Sequence, residues 1–374
     1  MKIIHFQPEN KRLRRQFIRF PFDLYEDDLN WVPPLMMDMQ QIFNRKRHSF
    51  YGHGEAQFLL AIKDESPVGR LVMLHNHNPG AGQDQDTAHF FYFESNPDPG
   101  IAHQLFDVGV NWAKKRQLKK IFGPKGMTPM DGLGLLVRGF EHRPAFGMPY
   151  NPVYYPEYMK AYGFEQVRES ESGYLNPETF NMPDKVLKAA DLVQERKGFR
   201  VLKMRSRKDL KRAVSLLGEM YNAALIGTEG NTPLTENDLE TMARGLLWIA
   251  QPELIKLILK DDQPVGFLLA YPDISIALQA THGRIFPFGW IRLLWEKTHT
   301  DWVNVNGAGI VPDYRGLAAT ALLFAELYKS VTSSGQFKHA EVIQIGTENE
   351  RIRQELRGMG IDFYKTHALF KLEI

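Results

Sequence analysis

The sequence predicts two successive α/β domains, each built on a mixed sheet, and three observations predict it. A segment repeats: Lys63-Asp64-Glu65-Ser66-Pro67-Val68-Gly69 returns as Lys260-Asp261-Asp262-Gln263-Pro264-Val265-Gly266, at an offset of 197. The same offset of 197 joins Ala161-Tyr162-Gly163-Phe164 to Gly358-Met359-Gly360-Ile361, and Pro34-Leu35 matches Pro233-Leu234 at a slightly different one. Three matches in one order indicate a duplicated domain. Each copy of the first match lies between two apolar runs, Phe58–Ile62 and Leu71–Leu74, then Ile255–Leu259 and Phe267–Ala270. Two such runs around a short polar segment read as a β-hairpin. Elsewhere helical and strand-like patterns alternate, which implies parallel neighbours beside the antiparallel hairpins.

Residues 1–180 form the expected first domain. Its order is a short strand at Ile3–Phe6, a basic helix over Lys11–Phe20 and a second helix over Leu35–Phe43. The hairpin follows, then a strand His89–Glu94, a helix Ile101–Arg116, a strand Lys120–Phe122, an irregular stretch, and a helix Tyr154–Tyr162. Residues 181–198 read as a connecting helix, with Pro183 at its first turn and Gly198 just past its end. Residues 199–374 form the second domain, ordered strand, helix, helix, hairpin, strand, helix, strand, helix, strand. Each domain carries an insertion: Gly123–Pro152 in the first and the aromatic, amphipathic Ile274–Lys297 in the second. Loops this long in a compact domain are functional or disordered, and these are too aromatic for disorder. They either cover the sheet or wall a substrate pocket, and Tyr150, Asn151, Tyr154, Phe288 and Trp290 are the pocket candidates.

Composition narrows the function. A hydrophobic fraction of 43% describes a globular chain, and 374 residues suit two domains. Net charge is +2, too small for a global field that recruits nucleic acid or a membrane, so neither is expected as a partner. There is no cysteine, which removes disulfides, Cys–zinc sites and thiol nucleophiles. No apolar run approaches the roughly 20 residues of a membrane span, and no leader pattern opens the chain, so a cytoplasmic location is expected.

The most informative segment is Gly309–Phe324. Val303, Val305 and Ile310 lie in a strand-like run that contains Gly307 and Gly309. Pro312 stops the strand, Asp313-Tyr314-Arg315-Gly316 turns, and a helix begins at Leu317. A helix N-terminus has unpaired N–H groups and a positive dipole end, and Gly316, Ala318 and Ala319 let an anion approach the backbone. A strand–turn–helix packed for its own sake is the alternative.

On these residues the chain resembles the GNAT acyltransferase superfamily, whose phosphate-binding signature is Arg/Gln-x-x-Gly-x-Gly/Ala. Arg315-Gly316-Leu317-Ala318-Ala319-Thr320 aligns with it, with Ala318 in place of the central glycine and Thr320 in place of the last small residue. It is also similar to an uncharacterised family of bacterial tandem-GNAT proteins, through Asn30–Leu35, Met148–Pro152, Tyr154–Glu157 and Pro287–Trp290. The resemblance implies two tandem GNAT-like domains, each a mixed, mostly antiparallel sheet with a splayed parallel pair. It implies acetyl-CoA or another acyl-CoA as co-substrate, a small-molecule amine as acceptor, and no metal. The cofactor would be held by Ile310, Val311, Arg315, Gly316, Leu317, Ala318, Ala319, Thr320 and Asn349, with a freed N–H near Ile310 or Val311 stabilising the oxyanion. Leu356 stands where the family's proton-donating tyrosine is expected, and Tyr364 is the candidate substitute. Asn306 and Glu341 are candidates for the base, as is a base acting through water. The first domain has Pro97-Asp98-Pro99-Gly100 in place of the phosphate signature and is not expected to bind CoA.

Three functions compete. A CoA-dependent N-acyltransferase acts in the second domain, a non-catalytic relative keeps the fold with an eroded site, or an aminoacyl-tRNA-dependent ligase uses the same tandem architecture. The near-neutral charge argues against the third. His75-Asn76-His77, with His89 further along, has metal-like spacing but reads first as a solvated loop.

Overall fold

The computed structural model describes residues 1–77, 85–128, 131–224, 234–240, 249–315 and 318–374. Pro233, Gly316 and Leu317, named above, lie outside the described residues. The chain divides into two compact units, Met1–Ser170 with Ser275–Trp290 and Lys365–Ile374, and Glu171–Ile274 with Ile291–Tyr364.

The first unit contains β1 (Lys2–Phe6), α1 (Lys11–Leu24), α2 (Met36–Gln41), β2 (Gly54–Lys63), β3 (Ser66–Asn76), β4 (Thr87–Ser95), α3 (Pro99–Lys114), β5 (Lys120–Gly123), β6 (Leu135–Arg138) and α4 (Tyr155–Tyr162). β7 (Glu165–Leu175) leads into the second unit, with α5 (Asp184–Lys197), β8 (Phe199–Leu202), α6 (Arg207–Ala224), β9 (Lys256–Lys260) and β10 (Gln263–Pro272). The chain then returns to the first unit for α7 (Ser275–Thr281) and the start of α8 (Gly289–His299). β11 (Trp302–Ile310), α9 (Ala319–Ser334), β12 (His339–Gly346) and α10 (Glu350–Gly358) complete the second unit, and β13 (Asp362–Glu373) ends in the first.

Strand order in the first unit is β1-β2-β3-β4-β5-β13, with β6 also on β13. All neighbours are antiparallel except β4 and β5, which run parallel over Thr87–His89 and Lys120–Phe122. The chain's last strand supplies the partner of β5, Phe370 opposite Gly123. The second unit has the order β7-β12-β11-β10-β9-β8, and its parallel pair is β11 with β12. Both units therefore have the mixed, mostly antiparallel sheet that the sequence predicts.

The repeat has a physical basis. Both hairpins turn on two residues with positive φ, Asp64 and Glu65 at 48° and 65°, Asp261 and Asp262 at 49° and 65°. Two left-handed residues match the turn to the strands' right-handed twist. Gly163 and Gly360 also correspond: each follows a helix with φ of 110° and 88°, where a side chain would be strained. Apolar side chains fill each unit separately. Leu59, Leu71, Phe90, Leu105, Phe106 and Phe370 form the centre of the first core, and Leu268, Val303, Leu322, Leu323, Phe337 and Leu356 that of the second.

Candidate active site

In the second unit the parallel pair opens. β11 and β12 are in register from Trp302–His339 to Val305–Val342, then pairing stops although the strands continue to Ile310 and Gly346. On its other edge β11 carries a bulge, because Leu268 faces Ala308 and Ala270 faces Val305, leaving Asn306 and Gly307 opposite Leu269 alone. Two residues against one bend the strand and turn main-chain groups out of the ladder. Gly307 has φ of 104°, and a Cβ there would meet nothing within 4 Å. The glycine is needed by the bend, and the space beside it is open.

Helix α9 starts beyond this opening. Its N-cap is Ala318, in the left-handed region at φ of 62°, and among the described residues no side chain caps the helix. The first turn, with Ala319 and Thr320, presents N–H groups at the positive end of the dipole. Arg315 is held by two main-chain carbonyls. Its Nε donates to Ile310 O at 3.2 Å and its Nη2 to Ala224 O at 2.7 Å. The Val311 N–H donates to Val265 O at 3.0 Å, and Ile310 pairs with Gly266. Of the two positions expected near a freed donor, Val311 is engaged by the ladder, whereas Ile310, next to that bonded pair, turns its N–H to the other edge of β11; the bulge itself lies at Asn306–Gly307. Asn349 is exposed at the head of α10.

Below the opening lie three polar pairs, and they contain the three catalytic candidates. Asn304 and Glu341 are register partners, 1% and 2% exposed. Asn304 Nδ2 donates to Asp273 Oδ1 at 3.0 Å. Asn306 Nδ2 donates to the Tyr271 hydroxyl at 2.6 Å. The Tyr364 hydroxyl bonds Glu341; burial first, and then the Glu341 charge, raise its pKa. Burial also raises Tyr271. Both phenols are therefore neutral donors at ordinary pH. Asn304, Asp273 and Tyr271 were not singled out in the sequence. The available signal was polar residues inside apolar strands, as in Val303-Asn304-Val305 and Ala340-Glu341-Val342.

The first unit has the same bulge, with other groups at the positions beside it. Arg70 faces Glu94 and Val72 faces Phe91, so Tyr92 and Phe93 face Leu71 alone. The positive-φ position is Tyr92, at 50°. Phe90 O, at the edge where β4 and β5 part, accepts the Lys125 N–H at 3.0 Å. At the N-terminus of α3, Asp98 Oδ1 accepts the Gly100 N–H at 2.9 Å. That carboxylate satisfies the donor a phosphate would need and repels the phosphate. Deeper in, Glu94 accepts hydrogen bonds from the hydroxyls of Tyr25 and Tyr155, both at 2.8 Å, and faces Arg70 at 3.5 Å. Burial raises its pKa, and Arg70 pulls it back.

The pocket candidates have other surroundings. Asn151 is buried and bonds the N–H and carbonyl of Leu136, acting as a strand partner for β6. β6 lies within the stretch read as irregular. The Tyr150 hydroxyl donates to Asp28 and Phe140 O, and the Tyr154 hydroxyl to Ser95 O. Phe288 and Trp290 are exposed. His75 and His77 do converge with Glu55. Arg116 occupies both Glu55 carboxylate oxygens, at 2.7 and 2.8 Å, so the carboxylate is engaged in an ion pair.

The paired units, each with a bulged strand beside a parallel pair, have a tandem GNAT-type N-acetyltransferase fold. Among the solved structures that share it, one is a tandem GNAT protein from the clavulanic acid biosynthesis pathway, with a TM-score of 0.58 at 10% identity over 100% of this chain and 98% of that one. Another is a GCN5-related N-acetyltransferase from Sphaerobacter thermophilus, with a TM-score of 0.50 at 13% identity over 99% and 95%. No family model matches the chain. In sequence it is 26% identical to Protein YghO of Escherichia coli (strain K12), over 98% of this chain and 94% of that protein. It is 26% identical to a bacterial ceramide synthase of Caulobacter vibrioides (strain NA1000 / CB15N), over 75% of this chain and 73% of that one.

Proposed function

We propose that the protein is an acyl-CoA-dependent N-acyltransferase whose chemistry lies in the second unit. The observation that carries this reading is the contrast between the units: in the second the parallel pair opens beside a helix with no side-chain cap among the described residues, whereas in the first Asp98 accepts a first-turn N–H of the helix and Lys125 bonds Phe90 O where the strands part.

The first-turn N–H groups of α9 hold the pyrophosphate of the substrate, and the free edge of β11 beyond Val305 pairs with the amides of its pantetheine arm. The amine nitrogen attacks the thioester carbon, the C–S bond breaks, and an amide and a thiol result. Main-chain donors at the Asn306–Gly307 bulge stabilise the oxyanion. Glu341 takes the ammonium proton, directly or through water, and the Tyr364 hydroxyl, bonded to Glu341, orients it. Tyr271 holds the Asn306 amide at the edge of the opening.

The acceptor is an amine. Ceramide is an amide, so the name of the Caulobacter relative supports this class and adds long-chain amines to the small ones. A second reading, a GNAT-fold binding protein without activity, is favoured by Ala318 at the signature glycine and by Leu356, which is buried in the core where a tyrosine donor would stand. Calorimetry with acetyl-CoA and longer acyl-CoAs separates the two, followed by mass spectrometry for amide products from short and long-chain amines. Binding with amide formation supports the enzyme, binding without product supports the second reading, and neither heat nor a thermal shift sinks the CoA site.

A further inference from the structure

From Ile274 to Trp295 the chain has no aspartate or glutamate, while it carries Arg284, Arg292 and a cluster of aromatic residues. Within that stretch, Phe286-Pro287-Phe288-Gly289-Trp290 forms a projecting tip. Phe286 is 71% exposed, Phe288 74% and Trp290 41%. Such exposure of large apolar side chains at one place is unusual on a monomer surface and marks an interaction site.

The tip is built to be held out. The Trp290 N–H donates to Ile285 O at 2.8 Å, and the indole N–H to Pro287 O at 3.1 Å. Gly289 lies so close that a Cβ would meet Arg284 O at 1.8 Å. The base is clamped to the first unit. Gln279 Nε2 donates to Leu29 O and Trp31 O, the Met36 N–H donates to Gly283 O at 2.9 Å, and α7 is anchored at Ser275 by Pro144 O.

Charge selects the partner. Arg284 and His282, at the base of the tip, line a cleft of about 850 Å³ with Lys11, Arg14, Arg15 and Arg19 of α1. Asp23, Glu26 and Asp28 also line it, and Asp23 is paired with Arg19 at 3.2 Å. Aromatic rings beside a cationic rim suit the interfacial region of a bilayer, where Trp and Phe sit at headgroup depth and Arg and Lys meet phosphates. Among the described residues no helix is long and apolar enough to cross a membrane.

We propose that the Phe286–Trp290 tip docks this protein on the surface of an anionic phospholipid bilayer, with Phe286 and Phe288 inserted among the acyl chains and Arg284 on the headgroups. This does not depend on the acyltransferase reading. The test is sedimentation of the full chain with phosphatidylcholine vesicles, with or without phosphatidylglycerol at equal parts. The parent is expected to bind the anionic vesicles at least about tenfold more strongly than the neutral ones, and to release as salt rises. Phe286→Ser with Phe288→Ser is expected to lower that binding at least about tenfold, because two exposed rings no longer leave water. Arg284→Glu is expected to reduce anionic binding and leave neutral binding unchanged. Circular dichroism and melting check that the variants fold, as expected for positions this exposed. Unchanged vesicle binding in the double serine variant overturns the proposal, as does no binding by the parent. Light scattering that shows a dimer abolished by the serines, without vesicle binding, reassigns the tip to a second copy and also overturns it.

Discussion

Arg315 holds the last residue of α6 by its carbonyl: Nη2 lies 2.7 Å from Ala224 O. Its Nε lies 3.2 Å from Ile310 O, so one guanidinium ties the end of β11 to the end of α6. The resemblance to GNAT proteins suggests a phosphate contact for this arginine, while the geometry gives it a positioning role. Arg315→Ala is expected to cost about 1 kcal/mol of stability and to weaken acyl-CoA binding by about 1–2 kcal/mol through a displaced loop. Arg315→Lys decides between the roles. A lysine keeps the charge but replaces the planar fork, whose Nε and Nη2 reach the two carbonyls separately, with a single nitrogen, so equal losses in both variants support the brace. Recovery of affinity with lysine would show that charge on the phosphate is what matters. Calorimetry and urea melts read both quantities.

Ala318 has φ of 62°, and the left-handed region costs a residue with a Cβ about 1–2 kcal/mol. Ala318→Gly removes that strain and opens the backbone at the head of α9. It is expected to raise stability by about 1 kcal/mol and to tighten acyl-CoA binding; affinity that does not change would mean that the methyl group is clear of the ligand. Asp98 is the control in the other unit. Asp98→Ala removes the cap from α3 and is expected to cost about 1 kcal/mol of stability while leaving acyl-CoA affinity unaltered. A new or stronger CoA site in that variant would overturn the assignment of binding to the second unit.

Much of this was legible because it is local. The turn at Asp64-Glu65 and its copy at Asp261-Asp262 are set by nearby backbone chemistry, as are the glycines that end helices at 163 and 360. The open head of α9 followed from its small residues. What could not be read needed partners distant in sequence. Nothing near Asn151 reveals that it pairs with Leu136, nor does anything near Phe370 point to Gly123. The glycines in β11 signal an irregular strand with a freed N–H near Ile310 or Val311, but only the ladder register shows that Val265 O takes the Val311 N–H. Glu341 and Tyr364 were named separately, and only the sheet joins them through a hydrogen bond. Asn304, a lone polar residue between valines, carries no local sign of the Asp273 it meets.

Glu341 is expected to serve the chemical step more than binding, since it lies beneath the opening and is 2% exposed. Glu341→Gln keeps the size and an acceptor for the Tyr364 hydroxyl but removes the base. The expected result is a fall in kcat of about 10²–10⁴ with acyl-CoA affinity retained. Tyr364→Phe is expected to have a smaller effect on kcat, because the carboxylate survives and only its orientation loosens. A Glu341→Gln enzyme as fast as the parent would leave water as the proton acceptor.

His367 gives the first unit an acid-sensitive point. It is 2% exposed, its Nε2 lies 3.0 Å from Pro149 O, and burial pushes its pKa from the ordinary 6.5 down to about 4. The unfolded chain takes up a proton near pH 6.5, whereas the folded chain resists until about pH 4. Between those values the unfolded state holds more protons, so stability is full above pH 6.5 and is lost as pH falls towards 4. At pH 5 the loss from this one residue is about 2 kcal/mol, from about 1.4 kcal/mol per pH unit. His367→Gln keeps an N–H for Pro149 O and has nothing to titrate. Its stability, from urea melts at pH 7 and pH 5, is expected to fall by about 2 kcal/mol less than the parent's across that interval. Equal falls in the two proteins would place the acid sensitivity on other groups.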